Sequence, residues 1–208
     1  PGQKNSDAAV NVSNEVVFSH ARGYYDEPVD LELSSTVPES VIRYTTNGAK
    51  PNDRSQIYID PIRLTPASSS GKRGVRTVRA MAFNSSVASS PVSTHTYIWV
   101  NGTSDPQLTG VVGQSRFQSS IKNHPKYGPL IDKGLLSLPA ISITKPSGMS
   151  GSEGEANLEL ISIDGSESGF GIDCGMKIVG GASVGSAKNN FRCYFRSRYG
   201  SSKLRYPL

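Results

Sequence analysis

Short runs of strand-forming residues, separated by turn signals, constrain the fold of this chain more than any other feature of its sequence. Seven such runs occupy residues 16–99, and each is rich in β-branched or aromatic residues: VVFS, VDLELSS, VIRYTT, IYID, IRLT, VRTVRAMAF and VSTHTYIW. Several of them alternate apolar and polar positions, as at Val29, Leu31 and Leu33, so one face of each strand can be buried. The pattern predicts a layered β structure.

Turn residues between these runs agree with that prediction. Asn47-Gly48 can supply the positive φ angles of a tight hairpin, and Pro28 and Pro61 interrupt strand pairing. About seven strands in about a hundred residues is typical of immunoglobulin-like and fibronectin-like sandwiches. We therefore predict a mainly β protein that begins with a fibronectin-like β-sandwich over residues 16–99.

The composition changes after the last of these runs. Residues 100–116 are polar and carry no periodicity, which predicts an interdomain linker, and residues 1–15 predict a flexible N-terminus. Further on, short helical turns limited by Pro125 and Pro129 precede the strand-like runs AISIT, ANLELISI, GIDCGMKIV and NFRCYFR. We expect residues 117–208 to form a small, mostly antiparallel β domain of the α+β type.

The last two of these runs alternate in a way that assigns their faces. The apolar members, which we expect to face a core, are Phe170, Ile172, Cys174, Met176, Ile178, Phe191, Cys193 and Phe195. Cys174 and Cys193 therefore lie on the apolar sides of strands that can be neighbours. In an exported protein they could form a disulfide, and two free thiols fit the sequence equally well.

Positive charge is concentrated at the end of the chain. The net charge is +5, and seven basic residues but no acidic residue follow Asp173. Arg192, Tyr194, Arg196 and Arg198 alternate with the apolar set and share the other side of the last run. Such a side either attracts an anionic partner or is a solvated strand face. We do not expect nucleic acid to be that partner.

A glycine-rich loop, GGASVGSAK at residues 180–188, joins these two runs. It is not a Walker loop, because a serine stands where that motif requires lysine. It is not a hydrolase nucleophile turn either, because no Asp, Glu or His follows Asp173. Two interpretations remain: an ordinary hairpin, or a loop whose backbone N–H groups cover phosphates while Lys188 or Arg192 neutralises their charge.

Part of the first half resembles a known family. The stretches IRYTTNGAKPNDRSQIYIDPIRLT, TVRAMAF and TYIW are similar in order and spacing to the fibronectin-like C-terminal domain of chitobiases and β-hexosaminidases. Asn47 stands where that family often has Asp, and Asn also suits the turn. The resemblance implies a non-catalytic module that accompanies other domains as a spacer, an adhesive unit or a glycan contact. Tyr97 and Trp99 are the aromatic candidates for such a contact.

The second half resembles the N-terminal part of the CotH family of secreted, kinase-like proteins. The resemblance is carried by LPAISIT, ISIDGS and the stretch GIDCGMKIVGGASVGSAKNNFRCYFRSRYGSSKLRYPL. It implies ATP binding, with Mg²⁺, and phosphoryl transfer to proteins. Gly180, Gly181 and Ser183 match the family's loop, and Lys188 and Arg192 match its basic positions. The family's catalytic and metal-binding acids lie beyond the YPL motif, which ends at Leu208.

These features predict a non-catalytic structural or interaction protein of the cell exterior or cell surface, with no catalytic residues, metal site or cofactor of its own. Its expected partners are other exterior proteins, further copies of itself, or glycans, and the two resemblances imply a bacterial setting. The alternative is the N-terminal piece of a CotH-like kinase that binds ATP through the glycine loop when complete. No run approaches the roughly 18 apolar residues of a membrane span.

Overall fold

A computed structural model describes residues 15–66, 74–85, 88–100, 119–146, 152–163, 169–180 and 190–206. The protein is mainly β, as predicted, with several antiparallel sheets. The strands of the first half are β1 (Val16–Phe18), β2 (Gly23–Tyr24), β3 (Val29–Leu31), β4 (Leu33–Ser35), β5 (Val41–Thr45), β6 (Gln56–Ile57), β7 (Ile62–Leu64), β8 (Val75–Phe83) and β9 (Ser93–Ile98). Six of the runs recognised in the sequence contain strands as predicted, with β3 and β4 sharing one run, but only Ile57 of the run IYID is in a strand, and β2 is additional.

These strands form a sandwich around one apolar core. Five of them make a sheet in the order β2-β9-β8-β5-β6, in which only β2 and β9 run parallel. The pairs β1-β4 and β3-β7 form the opposing layer, and Glu32 alone separates β3 from β4. Leu31 of the opposing layer packs with Val78 and Ala80 of β8, and all three are fully buried. Alternation within each strand supplies this core, as the sequence pattern predicts.

The second half contains short helices followed by an antiparallel sheet. Helix α1 (Ser119–Lys122), a 3-10 turn (Gly128–Leu130) and helix α2 (Ile131–Leu135) come first. Strands β10 (Ala140–Thr144), β11 (Gly154–Ile161), β12 (Gly171–Val179) and β13 (Asn190–Tyr194) then pair in chain order. The short helical turns and the four strands were all predicted from the sequence.

The four-stranded sheet packs on the sandwich, so that the described residues form three β layers. Both faces of β9 are covered, because β9 belongs to the middle layer. Tyr97 points into the sandwich core, while Thr96 points toward the four-stranded sheet and contacts Ser142. At one end of this second interface Ile98 packs with Ile161 and with the partly buried Leu135. The middle layer is therefore covered on both sides around β9 and the adjacent part of β8, which explains why Arg79, Thr94 and Thr96 are buried.

The orientation of the four-stranded sheet differs from the simplest expectation. The apolar set of β12 was expected to face a core, and Cys174 and Met176 are indeed fully buried. They face away from the sandwich, however, and pack with Ala156 and the partly buried Phe195. The polar set, which includes Asp173, faces the sandwich. Side-chain alternation identifies the two faces of a strand but cannot tell which neighbour each face meets.

The Asn47-Gly48 turn connects two of these layers. Gly48 has a φ of +84°, and the Asn47 side-chain oxygen accepts a hydrogen bond from the Ala49 N–H. The tight hairpin predicted from Asn47-Gly48 is not formed, because only the glycine of the pair has a positive φ and the paired strands β5 and β6 are joined by residues 46–55. A Cβ at Gly48 would lie 2.5 Å from the Lys145 carbonyl oxygen. Glycine is therefore required twice here, once for the turn and once for the close approach of the chain just beyond β10.

Candidate functional site

A group of charged residues, which we call the interlayer clamp, holds the four-stranded sheet on the sandwich. It consists of Arg22 and Arg79 from the sandwich and Glu155, Glu159 and Asp173 from the four-stranded sheet. Two cations of one layer thus meet three carboxylates of the other. The charges are complementary across the interface, which favours one relative position of the two layers.

Arg79 is the central member of the clamp and its side chain is fully buried. Its guanidinium lies 2.9 Å from the Asp173 carboxylate and 3.9 Å from that of Glu155, and it also donates to the Gly48 carbonyl oxygen and the Thr94 hydroxyl. Arg suits this position because its planar fork presents several donors at once. One side chain therefore links the turn, the middle sheet and β12.

Glu159 is the most deeply buried carboxyl of the clamp. It accepts a hydrogen bond from the Thr96 hydroxyl and lies 3.2 Å from the Arg22 guanidinium. Gly171 makes room for that guanidinium, since a Cβ there would collide with it. Burial raises the pKa of Glu159 to about 7 although the Thr96 hydrogen bond and the Arg22 charge favour its ionised form. The carboxyl thus titrates near neutral pH.

A second charged cluster lies at the edge of the four-stranded sheet. Glu153 accepts hydrogen bonds from Arg196, Arg198 and Tyr199. Burial works against ionisation of this carboxyl, but the hydrogen bonds from Arg198 and Tyr199 outweigh it and hold the pKa of Glu153 below its usual range. The sequence assigned Arg196 and Arg198 to a basic strand face. In the structure their charges are partly neutralised by Glu153 of the same chain.

The basic residues of β12 and β13 that remain accessible form a pair. Lys177 and Arg192 are directly opposite one another in the β12-β13 register, and neither forms an ion pair within the described part of the chain. Like charges in this arrangement repel, so an anion between them would be stabilising. Gly180, with a φ of +135°, directly follows the last residue of β12. The other predicted loop residues, Gly181, Ser183 and Lys188, lie outside the described residues.

The two cysteines are free thiols on neighbouring strands. Cys193 lies opposite Met176, two residues from Cys174 on the same face of the sheet, and both cysteines are unpaired. Of the two alternatives left by the sequence, the structure therefore has the free thiols rather than the disulfide. Burial, with a smaller effect of the neighbouring Cys193, raises the pKa of Cys174 to about 12. A thiol of this kind is unreactive at neutral pH.

The predicted glycan contact at Tyr97 and Trp99 is wrong in this structure. Both side chains are fully buried in the sandwich core. The Tyr97 hydroxyl donates to the His20 carbonyl oxygen, and the Trp99 indole N–H donates to that of Glu27. Two large aromatic side chains near the end of the last sandwich strand are used to complete the core, because their burial excludes the most apolar area from water.

The free edge of β10 is exposed and apolar, a feature that the sequence argument missed. β10 is an edge strand of its sheet, and Ile141 and Ile143 on its outer face are 58% and 38% exposed. Leu138 and Ile163 extend this surface, at 63% and 39% exposure. The four aliphatic side chains and the β10 backbone edge are here called the β10 edge. Among the described strands only β11 pairs with β10, and a local pattern such as AISIT does not reveal strand order.

Catalytic and metal chemistry finds no support among the residues that the structure describes. No group of three or more His, Cys, Asp or Glu side chains is placed to hold a metal ion in that part of the chain. The carboxylates of the clamp are occupied by arginines, and His95 is stacked on Phe18 inside the sandwich. No helix among the described residues is long and apolar enough to cross a membrane.

Fold and site together define a β-sandwich protein with an attached antiparallel sheet. Buried ion pairs connect the sandwich to that sheet. Residues 20–94 match the family model of the chitobiase/beta-hexosaminidase C-terminal domain. This match supports the first resemblance found in the sequence. No curated protein and no solved structure matches the chain significantly. The CotH-type resemblance of the second half stays a prediction.

Proposed function

We propose that this chain is a non-catalytic assembly module of the cell exterior, associated with carbohydrate-active or carbohydrate-bearing surroundings. The sandwich is its rigid base, and the four-stranded sheet is the part that contacts a partner. The match of residues 20–94 to a domain named after chitobiases and β-hexosaminidases supports the carbohydrate setting and the non-catalytic role. The exterior location is part of the proposal and follows from both resemblances.

The observation that carries the proposal is the β10 edge. An edge strand presents unpaired N–H and C=O groups, and soluble proteins usually protect such edges with charges, proline or bulges. β10 carries none of these between Ala140 and Thr144, and it exposes Ile141 and Ile143 instead. The interlayer clamp holds the sheet that bears this edge. A fixed, apolar strand edge is suited to pairing with another strand.

We assign the partner strand to a second copy of this chain. In an antiparallel β10-β10 pair centred on Ser142, Ile141 of one copy lies beside Ile143 of the other, and no charged side chain is placed opposite a like charge. The other edge of the sheet, β13, is unsuited to self-pairing. Antiparallel pairing centred on Arg192 would place this exposed side chain opposite its own copy. The charge pattern therefore selects β10.

Self-association through β10 is expected to be concentration-dependent and to be lost in Ile141→Lys. A lysine opposite an apolar residue of the second copy adds desolvation and, by symmetry, repulsion. Sedimentation equilibrium should show a dimer for the native protein and at least a tenfold weaker dimer for the variant. Val17→Lys is the matched control, because Val17 is also an exposed aliphatic strand residue, at 48%, but lies in the sandwich.

The assembly proposal fails if the native protein stays monomeric at concentrations up to about 1 mM, where even a weak association of about −4 kcal/mol would be half formed. It fails equally if Ile141→Lys and Val17→Lys dimerise to the same extent. Thermal unfolding of both variants separates a loss of the dimer from a loss of the fold.

A second candidate function is nucleotide binding as the N-terminal piece of a CotH-like kinase. It is favoured by one observation: β12 and β13 are adjacent antiparallel strands, with Lys177 opposite Arg192 next to the predicted glycine loop. Such a hairpin could cover phosphates with backbone N–H groups. Metal-binding carboxylates and a nucleophile-orienting group would have to come from outside the described residues.

Titration of the whole chain with Mg-ATP tells the two candidates apart. The assembly proposal expects no saturable change in the amide resonances of β12 and β13. Saturable changes that are lost in Lys188→Ala would favour the kinase-like candidate. The control is Lys126→Ala, in which the changes should be retained because Lys126 precedes the four-stranded sheet in the sequence. The same titration at high salt separates a specific site from general attraction between a polyanion and a basic strand.

A further inference from the structure

The four-stranded sheet covers only part of the middle layer, and a cavity lies on the part it leaves open. Along β8, Thr77 and Arg79 contact the four-stranded sheet, whereas Phe83 on the same face lies beyond it. Phe83 is paired with Val41 of β5, and Arg43 of β5 is paired with Ile57 of β6. These side chains line the cavity at the β6 edge of the sheet, and the apolar ones, Val41, Ile57 and Phe83, form its floor.

The cavity has an apolar floor and a polar rim. Its volume is about 390 Å³, within the roughly 300–1,000 Å³ of small-molecule sites, and it is widely open to solvent. Val41 and Ile57 of the floor are each 43% exposed. Asp53, which is exposed, lies at the rim, on a loop in which the Arg54 N–H and the Ser55 hydroxyl donate hydrogen bonds to the Asn52 side-chain oxygen.

Arg43 completes the polar side of the cavity. One guanidinium nitrogen donates to the Ser55 carbonyl oxygen at 2.7 Å, which ties the side chain to the Asp53 loop. A guanidinium has five N–H donors, so others remain for a ligand, and the nearby carboxylate accepts only. A side chain with hydrogen-bond donors and a side chain with acceptors thus line the same cavity as Phe83.

We propose that this cavity binds a short, neutral saccharide. An open cavity leaves the outer side of its ligand in water, so a fully apolar ligand would remain half exposed. The charges of Arg43 and Asp53 offset one another, so the lining favours neither an anion nor a cation. A sugar ring has an apolar face for Phe83 and hydroxyl groups at its edge for Asp53 and Arg43. The site replaces Tyr97 and Trp99 as the glycan contact, and it is independent of self-association through β10.

Titration of the ¹⁵N-labelled chain with cellotetraose and with chitotetraose tests this site. We expect amide shifts confined to β5, β6, the Asp53 loop and the end of β8, with a dissociation constant on the order of 1 mM. Phe83→Ala should weaken binding at least tenfold. Asp53→Asn, an exposed change that leaves the core untouched, should weaken it severalfold. Asp30→Asn is the matched control, because Asp30 is an exposed carboxylate elsewhere on the sandwich.

Three results would overturn the saccharide site. The first is the absence of saturable shifts with either oligosaccharide up to its solubility limit. The second is an unchanged affinity in Asp53→Asn, which is informative even if Phe83→Ala does not fold. The third is an equal response to cyclohexanol at the same concentration, because that result would define a nonspecific apolar hollow.

Discussion

Replacing Arg79 with methionine is expected to destabilise the protein by roughly 3–5 kcal/mol, the usual cost of removing one partner of a buried ion pair. Methionine fills much of the same space but leaves Asp173 and Glu155 without their cation, and the Gly48 carbonyl oxygen without a donor. Urea unfolding measures the loss. Hydrogen exchange should be faster in β10–β13 than in the sandwich, because the clamp holds those strands.

Arg63→Met is the matched control for this change. Arg63 pairs with Asp30 at 2.6 Å, but both side chains are more than half exposed, at 57% and 59%. Exposed pairs of this kind contribute about 0–1 kcal/mol. Asp173→Asn in the Arg79→Met background should restore part of the stability, because it removes the stranded charge. Equal losses in the two single variants would show that Arg79 does not act through its buried charge.

The second prediction is that Glu159→Gln makes stability depend strongly on pH. In the native protein the buried Glu159 and the half-buried His95 act in opposite directions. Burial raises the pKa of Glu159 from 4.5 to about 7. Its contribution to the free energy of unfolding is therefore complete below about pH 4.5 and is lost as the pH rises toward 7. Burial, together with the Arg22 charge, lowers the pKa of His95 from 6.5 to about 4, so its contribution is complete above about pH 6.5 and is lost toward pH 4.

Between about pH 4.5 and 6.5 these two contributions offset one another, and the native protein should have a nearly flat stability profile. At about 1.4 kcal/mol per pH unit, each contribution changes by roughly 3 kcal/mol across these two units. Glu159→Gln leaves the histidine alone, so the variant should gain stability steadily as the pH rises through this window. His95→Gln should show the reverse slope.

Urea unfolding at half-unit steps of pH measures both profiles. Gln is the chosen replacement for Glu159 because its amide oxygen can still accept the Thr96 hydrogen bond. A flat profile in Glu159→Gln would contradict the assignment of opposing groups. So would a native profile with a steep slope between pH 4.5 and 6.5.

Much of the secondary structure was predictable, because it depends on short-range pattern. β8 occupies the run VRTVRAMAF, and β10 occupies the predicted strand Ala140–Thr144. The turn at Asn47-Gly48 has the expected positive φ at its glycine. Alternation also placed Cys193 and Arg192 on opposite sides of β13. Each of these features is decided by residues that are neighbours in the chain.

The candidate sites were predicted less well, because they depend on which faces meet. Tyr97 and Trp99 are aromatic residues near the end of a strand, a pattern shared by exposed glycan platforms and by core anchors. Arg79 lies in a strand with no sign that it is buried, and its partner Asp173 is 94 residues away. Phe83 and Ile57 line one cavity only because β5 pairs with both β8 and β6.

Local chemistry in the chain was enough to establish a mainly β protein, the positions of its strands and turns, and the two sides of each strand, since these follow from backbone preferences and a period of two residues. The packing of the layers determined which side chains are buried between them and which surfaces stay exposed. It buried Tyr97 and Trp99, turned the polar side of the four-stranded sheet inward onto Arg79 and Arg22, and left the β10 edge and the Phe83 cavity uncovered. Such choices depend on area and charge complementarity between segments far apart in sequence, which a one-dimensional pattern does not contain.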